Sequence, residues 1–291
     1  MADEEKDDGY ASPGSENSDY TDVDPDFYNY LEENGRTYHA FCKGRYLLPN
    51  DEKEQNRMDM LNHIFSLVLD NKLCLAPIDP DPQHVLDLGT GTGIWAIDFA
   101  DNAVQKLIWT IGNDLSPIQP SMVPPNCIFE TSDFEDLWPS RKTPFDYIHC
   151  REMDGWIYNP QRLFEQAFSN LRPDGWLEMA TIELTWHSFD SSHERAKNAI
   201  SWRNLLEKAS KKLGKPFCGV HQWRNEMIVA GFVDVKTVTK KIPLGSWSKS
   251  EREVGKWAQA HMLDALEPYS MALLTRVLDW SPTEVQALLG K

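Results

Sequence analysis

Val85-Leu86-Asp87-Leu88-Gly89-Thr90-Gly91-Thr92-Gly93-Ile94-Trp95 decides the reading of this 291-residue chain. A short apolar run ends in an acid, three glycines alternate with threonine, and an amphipathic stretch follows. That order reads as a buried parallel strand, a tight turn and the start of a helix. Glycines at 89, 91 and 93 let a ligand approach bare backbone at a helix N-terminus, where side chains would stand in the way. The spacing is Gly-x-Gly-x-Gly, not the Gly-x-Gly-x-x-Gly of dinucleotide folds, and no Gly-Lys-Ser/Thr follows as in phosphate-cradling loops. Asp87 would repel a pyrophosphate but suits a ligand with a cationic amino-acid head.

Further strands follow in order. Leu107-Ile108-Trp109-Thr110-Ile111-Gly112-Asn113-Asp114 ends in an acid 21 residues past Gly93. A doubly wound fold places there the carboxylate that takes hydrogen bonds from ribose hydroxyls. Cys127 to Phe134 is a third strand; Asp133 at its end can accept from an adenine amino group while Phe134 or Leu115 packs on the ring. Phe145 to Cys150 is a fourth. Leu171 to Met179 reads as a helix end, a Pro-Asp-Gly turn and a fifth. Helix-like sequence follows each strand, so the fold class is α/β, a doubly wound and mostly parallel sheet with ligands outside its carboxyl ends. The ligand these residues suit is S-adenosylmethionine.

As a set, the glycine turn, Asp114, Asp133-Phe134, Phe145-Asp146-Tyr147-Ile148 and Leu171-Arg172-Pro173-Asp174-Gly175-Trp176 resemble the class I, Rossmann-like S-adenosylmethionine-dependent methyltransferases. Gly35-Arg36-Thr37-Tyr38-His39, Tyr46 to Glu52, Leu73 to Ile78 and Asp114 to Pro120 narrow the resemblance to the fungal LaeA-like group, over residues 35 to 245. That group is tied to fungal secondary metabolism, as regulators or as pathway enzymes. The resemblance implies S-adenosyl-L-methionine as cofactor and S-adenosyl-L-homocysteine as product. It implies that the segment holding Tyr38 and His39 covers the cofactor. Asp87, Gly89, Thr90, Gly91 and Gly93 should hold the methionine end, Asp114 the ribose, and Asp133 with Phe134 or Leu115 the adenine. Of His149, Arg151, Glu152, Met153, Asp154 and Trp156 after the fourth strand, one is expected to contact the methionine part, with Arg151 as the candidate.

The net charge of −16 is concentrated at one end. Residues 1–33 hold 12 acids and one lysine, which leaves the remaining 258 residues at −5. Residues 1–25 are expected to be an acidic, disordered tail: a solubilising leader, or a docking segment for a basic protein partner. Neither part offers a basic stripe for nucleic acid. No apolar window approaches a membrane span, and the acidic start is unlike a signal peptide. Five scattered cysteines suggest reduced packing thiols in an intracellular protein, cytoplasmic or nuclear, rather than disulfides or a metal site.

Helices are expected over 51–70, 94–104, 159–170, 193–213 and 220–230, and throughout 247–289, where Ser281-Pro282-Thr283-Glu284 forms a capping box. The expected organisation is a helical arm or cap over 26–80, the cofactor-binding domain over 81–245 with a helical lid insertion about 190–230, and a C-terminal helical lid over 246–291. Phe232 to Val238 alternates as a sixth strand would. The last strand of a seven-stranded sheet is not evident.

Methyl transfer needs a positioned nucleophile, exclusion of water and, for some acceptors, a proton acceptor. No metal is expected, because the histidines and carboxylates show no metal-ligand spacing. His187 is the first choice of base because histidine titrates near neutrality, with His149 and Glu183 behind it. Trp156, Tyr158 and Trp186 are the expected walls of a flat, apolar acceptor pocket. Three readings stand: a methyltransferase acting on a small molecule, a regulatory methyltransferase acting on or through a protein, and a cofactor-binding protein that no longer methylates.

Overall fold

The computed structural model describes residues 28–41, 44–78, 84–102, 108–217 and 219–290. The expected acidic tail, Cys42 and Cys218 lie outside them. Two short strands, β1 (Leu31–Glu33) and β2 (Arg36–Tyr38), form an antiparallel hairpin. The main sheet is β3 (His84–Leu88), β4 (Trp109–Asp114), β5 (Cys127–Thr131), β6 (Phe145–Arg151) and β7 (Leu171–Ala180). The helices are α1 (Glu52–Val68), α2 (Ile94–Asn102), α3 (Pro160–Asn170), α4 (Lys197–Leu213), α5 (Val220–Ala230), α6 (Arg252–Leu278) and α7 (Pro282–Leu289).

The sheet order is β5-β4-β3-β6-β7, parallel throughout. The chain winds outward from β3 to β5, then returns to lay β6 on the other side of β3. A doubly wound sheet opens its ligand crevice at that reversal, beyond the carboxyl ends. Parallel strands are covered on both faces and read as apolar runs. Val85 and Tyr147 pack with Trp95, Phe99 and Ala100 of α2, whereas Leu86, Leu88, Ile148 and Cys150 belong to the cluster with Leu163, Phe164 and Ala167 of α3.

Local chemistry sets the element ends. Asp51 caps α1 by accepting from Glu54 N, and Asn159 caps α3 ahead of Pro160. Ser281 and Glu284 form the reciprocal capping box of α7.

Three expectations change. The arm opens with a hairpin rather than with helix alone: Asn34 and Gly35 both take positive φ (52° and 75°), the two-residue turn whose twist matches a hairpin. The helix expected from His193 starts later. Residues Ser192–Arg195 form a 3-10 turn, in which Ser188 Oγ and Asp190 Oδ1 accept from the backbone of His193 and Ser192, and α4 begins at Lys197. Phe232 to Val238 forms no strand; Val233 and Val238 are 82% and 62% exposed. This segment instead sends single side chains inward, with Phe232 edge-on to Phe168 at 5.3 Å. Among the described residues the main sheet therefore ends at β7 with five strands.

The hairpin, α1 and α6 are joined by ionic contacts. Arg36 grips Asp51 through two hydrogen bonds (2.6 and 2.8 Å), and Arg276 of α6 holds Glu33 at 2.6 Å while lying over the Tyr38 ring. Inside this joint, Glu54 Oε1 accepts from Arg57 Nη2 at 2.5 Å, and Arg57 Nη1 lies 2.7 Å from His261 Nε2. Burial and the neighbouring guanidinium push the His261 pKa down to about 3, so its Nε2 serves as the acceptor. Glu54→Ala strips a buried cation of its counter-ion and is expected to cost about 3–5 kcal/mol in denaturant unfolding, whereas a loss below about 1 kcal/mol would contradict this pairing.

Candidate active site

The glycine turn is closed from both sides. Gly89, Gly91 and Gly93 have φ of 66°, 58° and 79°, which L side chains rarely adopt. A Cβ at Gly89 would lie 2.7 Å from Met153 Sδ, and one at Gly93 would enter the Phe129 ring. Asp87 anchors the turn from beneath. Its two carboxylate oxygens take Thr90 Oγ1 at 2.6 Å and His149 Nδ1 at 2.7 Å. Asp114 anchors it from the side, accepting from Gly91 N at 2.8 Å and from its own loop at Ser116 N, 2.9 Å. Gln119 Nε2 donates to Gly91 O, and Thr92 Oγ1 donates to Asp59 of α1.

His149 is a correction to the expected set of proton acceptors. It is 2% exposed, bonded to Asp87 and stacked on Trp95 with ring centroids 3.7 Å apart. It supports the turn from within the sheet. Glu183 and His187 lie exposed on the loop after β7; Glu183 holds Thr185 and His221, and His187 lies beside His193. The structure does not gather these three groups at one point.

Asp133 is buried, accepts from Glu135 N and pairs with Arg45, whose side chain is partly exposed. Phe134 and Tyr38 are core residues, and Leu115 follows Asp114 at the end of β4. Arg151 turns toward α1, donating to Asn62 Oδ1 at 2.5 Å and lying over the Phe65 ring. Trp156 is buried between Tyr46 and Phe217. Trp186 sits half-buried beside Trp202, and exposed Tyr158 covers the ammonium of Lys215 at 3.7 Å. A cleft of about 400 Å³ next to Asp133 is lined by Arg45, Glu135, Asp136, Tyr158 and Arg162.

Besides Asp114, whose ribose role was expected, several groups near the carboxyl ends had no individual role in the sequence. Tyr46, Asp114, Glu152 and Tyr269 lie deep in the protein, and each keeps some accessible surface. Burial raises the Asp114 carboxyl to about 6 and the Tyr269 phenol to about 12. His39 is buried with both ring nitrogens unpartnered, and burial first, then Arg276, lowers its pKa to about 4. Its ring lies 6.2 Å from that of Tyr46 and within electrostatic reach of Asp133. Asn50 ties this arm to the end of β4 by donating to Ser116 Oγ. The Gly-Arg-Thr-Tyr-His and Tyr-Leu-Leu-Pro-Asn-Asp runs were the available signal, without a role for their individual side chains.

A methyltransferase-domain family matches residues 60–237, and curated relatives match nearly the whole chain. The chain belongs to this family, in its class I, S-adenosylmethionine-dependent and LaeA-like branch. "Methyltransferase pytC" of Aspergillus terreus is 38% identical over 93% of this chain and 84% of its own. "Secondary metabolism regulator laeA" of Aspergillus fumigatus is 36% identical over 88% of this chain and 69% of its own. "Protein-methionine methyltransferase laeA" of Emericella nidulans is 34% identical over the same shares, 88% and 69%. The methyltransferase is thus an enzyme that uses S-adenosyl-L-methionine. Asp87→Ala orphans the His149 and Thr90 donors and is expected to destabilise the fold by about 1–3 kcal/mol per donor, read by thermal or urea unfolding; unchanged stability would remove Asp87 from this role.

Proposed function

We propose that this enzyme methylates a small, largely apolar or aromatic molecule of fungal secondary metabolism, with the cofactor laid across the carboxyl ends of β3, β4 and β5. The observation that carries the reading is the aromatic grouping beside Asp114: Tyr46 lies edge-on to Trp156 at 4.8 Å and is within electrostatic reach of both Asp114 and Tyr269. A flat acceptor gains from packing on such side chains. The pytC relative, a methyltransferase by name, supports the same class.

The residues present fit the cofactor. The unpartnered nitrogens of His39 and Oδ1 of Asn113 are buried polar atoms that a ligand bearing hydroxyls and amino groups would satisfy. The glycine turn offers backbone to the methionine end, with Asp87 and Thr90 holding its shape and Arg151 at its flank. Asp114, with Leu115 beside it, would take the ribose hydroxyls. Asp133 would take the adenine amino group once Arg45 swings out, and Phe134 and Tyr38 would support that end. When bound, the cofactor supplies an electrophilic methyl group on a sulfonium. His187 and Glu183 would then act at the rim of the acceptor opening, Trp186 and Tyr158 at its walls.

The second reading, action on or through a protein, draws on the name of the Emericella nidulans relative. Methyl-labelled S-adenosylmethionine added with enzyme to a fungal extract separates the two. Label in the organic phase is expected; label confined to precipitated protein would favour the second.

Asp114→Ala is expected to weaken S-adenosylhomocysteine binding by about 1–3 kcal/mol in calorimetry. Because ribose hydroxyls donate to the ionised carboxylate, affinity should fall as pH drops through about 6 and should lose that dependence in Asp114→Asn. Equal affinity in all three proteins would sink the ribose assignment.

A further inference from the structure

Glu152 is the residue at the carboxyl end of β6 that neither the fold nor the glycine turn requires. It takes a left-handed backbone conformation, φ 61°, which a residue with a side chain adopts at some cost. Two bonds hold it there: its N–H donates to Ala180 O at 2.8 Å, and its Oε1 accepts from Ile182 N at 2.6 Å. The residue after β6 is thereby tied to the end of the neighbouring strand β7 and to the segment that follows it. The next residue, Met153, lies directly over Gly89, so Glu152 stands beside the part of the turn proposed for the methionine end.

The carboxyl faces a defined set of groups. Arg151 on its own strand and Arg57 on α1 act on it as cations, Asp154 as an anion, and Tyr269 on α6 lies within its electrostatic reach. Both cations are engaged elsewhere: Arg57 with Glu54 and His261, Arg151 with Asn62 and the Phe65 ring. No hydrogen-bonded ion pair with either cation is formed. Burial dominates instead, lifting the Glu152 carboxyl to about 7, where it exchanges a proton readily at neutral pH.

We propose that Glu152 stands at the methyl-transfer point and takes the proton of an acceptor with an ionisable hydroxyl, a phenol or an enol. The proposal rests on the cofactor placement given above. In the step, the acceptor oxygen forms its bond to the methyl carbon as the carbon–sulfur bond breaks to leave a neutral thioether. The hydroxyl proton passes to the Glu152 carboxylate, so charge and atoms balance without a further reactant. The clamp to Ile182 engages Oε1 and leaves the other carboxylate oxygen for the acceptor.

The test needs no acceptor. Sinefungin carries an amine-bearing carbon in place of the methyl sulfonium, whereas S-adenosylhomocysteine has a bare thioether at that place. A carboxylate at the transfer point donates a charged partner to the amine alone. Calorimetry on the full chain should show sinefungin preferred over S-adenosylhomocysteine by about tenfold or more at pH 8. The preference should shrink at pH 6, as Glu152 takes up its proton. Glu152→Gln should abolish the preference with S-adenosylhomocysteine affinity unchanged, and Glu152→Asp should restore part of it. A preference retained in Glu152→Gln would overturn the proposal. Equal weakening of both ligands in that variant would also overturn it, placing the carboxyl on the shared amino-acid head. Failure of the wild type to bind either ligand would instead strike the cofactor placement itself.

Discussion

The hydrogen bond from Gly91 N to Asp114 Oδ2 joins the two loops on which the site depends. It spans the ends of adjacent parallel strands, and it fixes a turn built on three left-handed glycines. Asp87 completes the arrangement from below through Thr90 and His149. One carboxylate thus shapes the turn from inside the sheet, and the other shapes it from the crevice. Only the second keeps accessible surface, so Asp114 faces the ligand space and Asp87 supports it.

The N-terminal arm is the second constraint. A two-residue turn, an Arg36–Asp51 pair and the Asn50–Ser116 contact tie the hairpin and Asn50 to the end of β4. α6 closes the far side through Arg276 and through the buried Arg57–His261 contact. Elements far apart in sequence thus meet beside the end of β4, which a helix-by-helix view of the chain does not show.

The central fold was legible because its signals are local. Strands β3 to β5 are apolar runs with an acid at or near their carboxyl ends, and the glycine turn follows β3 at once. Signals that depend on distant partners were harder to read. Phe232 to Val238 has the alternation of a strand, yet only Phe232 and Val235, three residues apart, turn inward, while Val233 and Val238 stay exposed. Asn34-Gly35 is a plain hairpin signal, overshadowed by the helix that follows. Histidine chemistry pointed to His187 and His149, but exposure and a prior partner decide what such a group can do. Glu152 carries no motif: its strained backbone, depth and facing charges exist only in the folded chain.

The most direct measurement is a crystal structure with S-adenosylhomocysteine bound. The arrangement described here requires the ribose hydroxyls on Asp114, the thioether near Glu152, and Arg45 withdrawn from Asp133 to admit the adenine. A ligand seated elsewhere, with the Arg45–Asp133 pair intact and Asp114 touching only backbone, would contradict it.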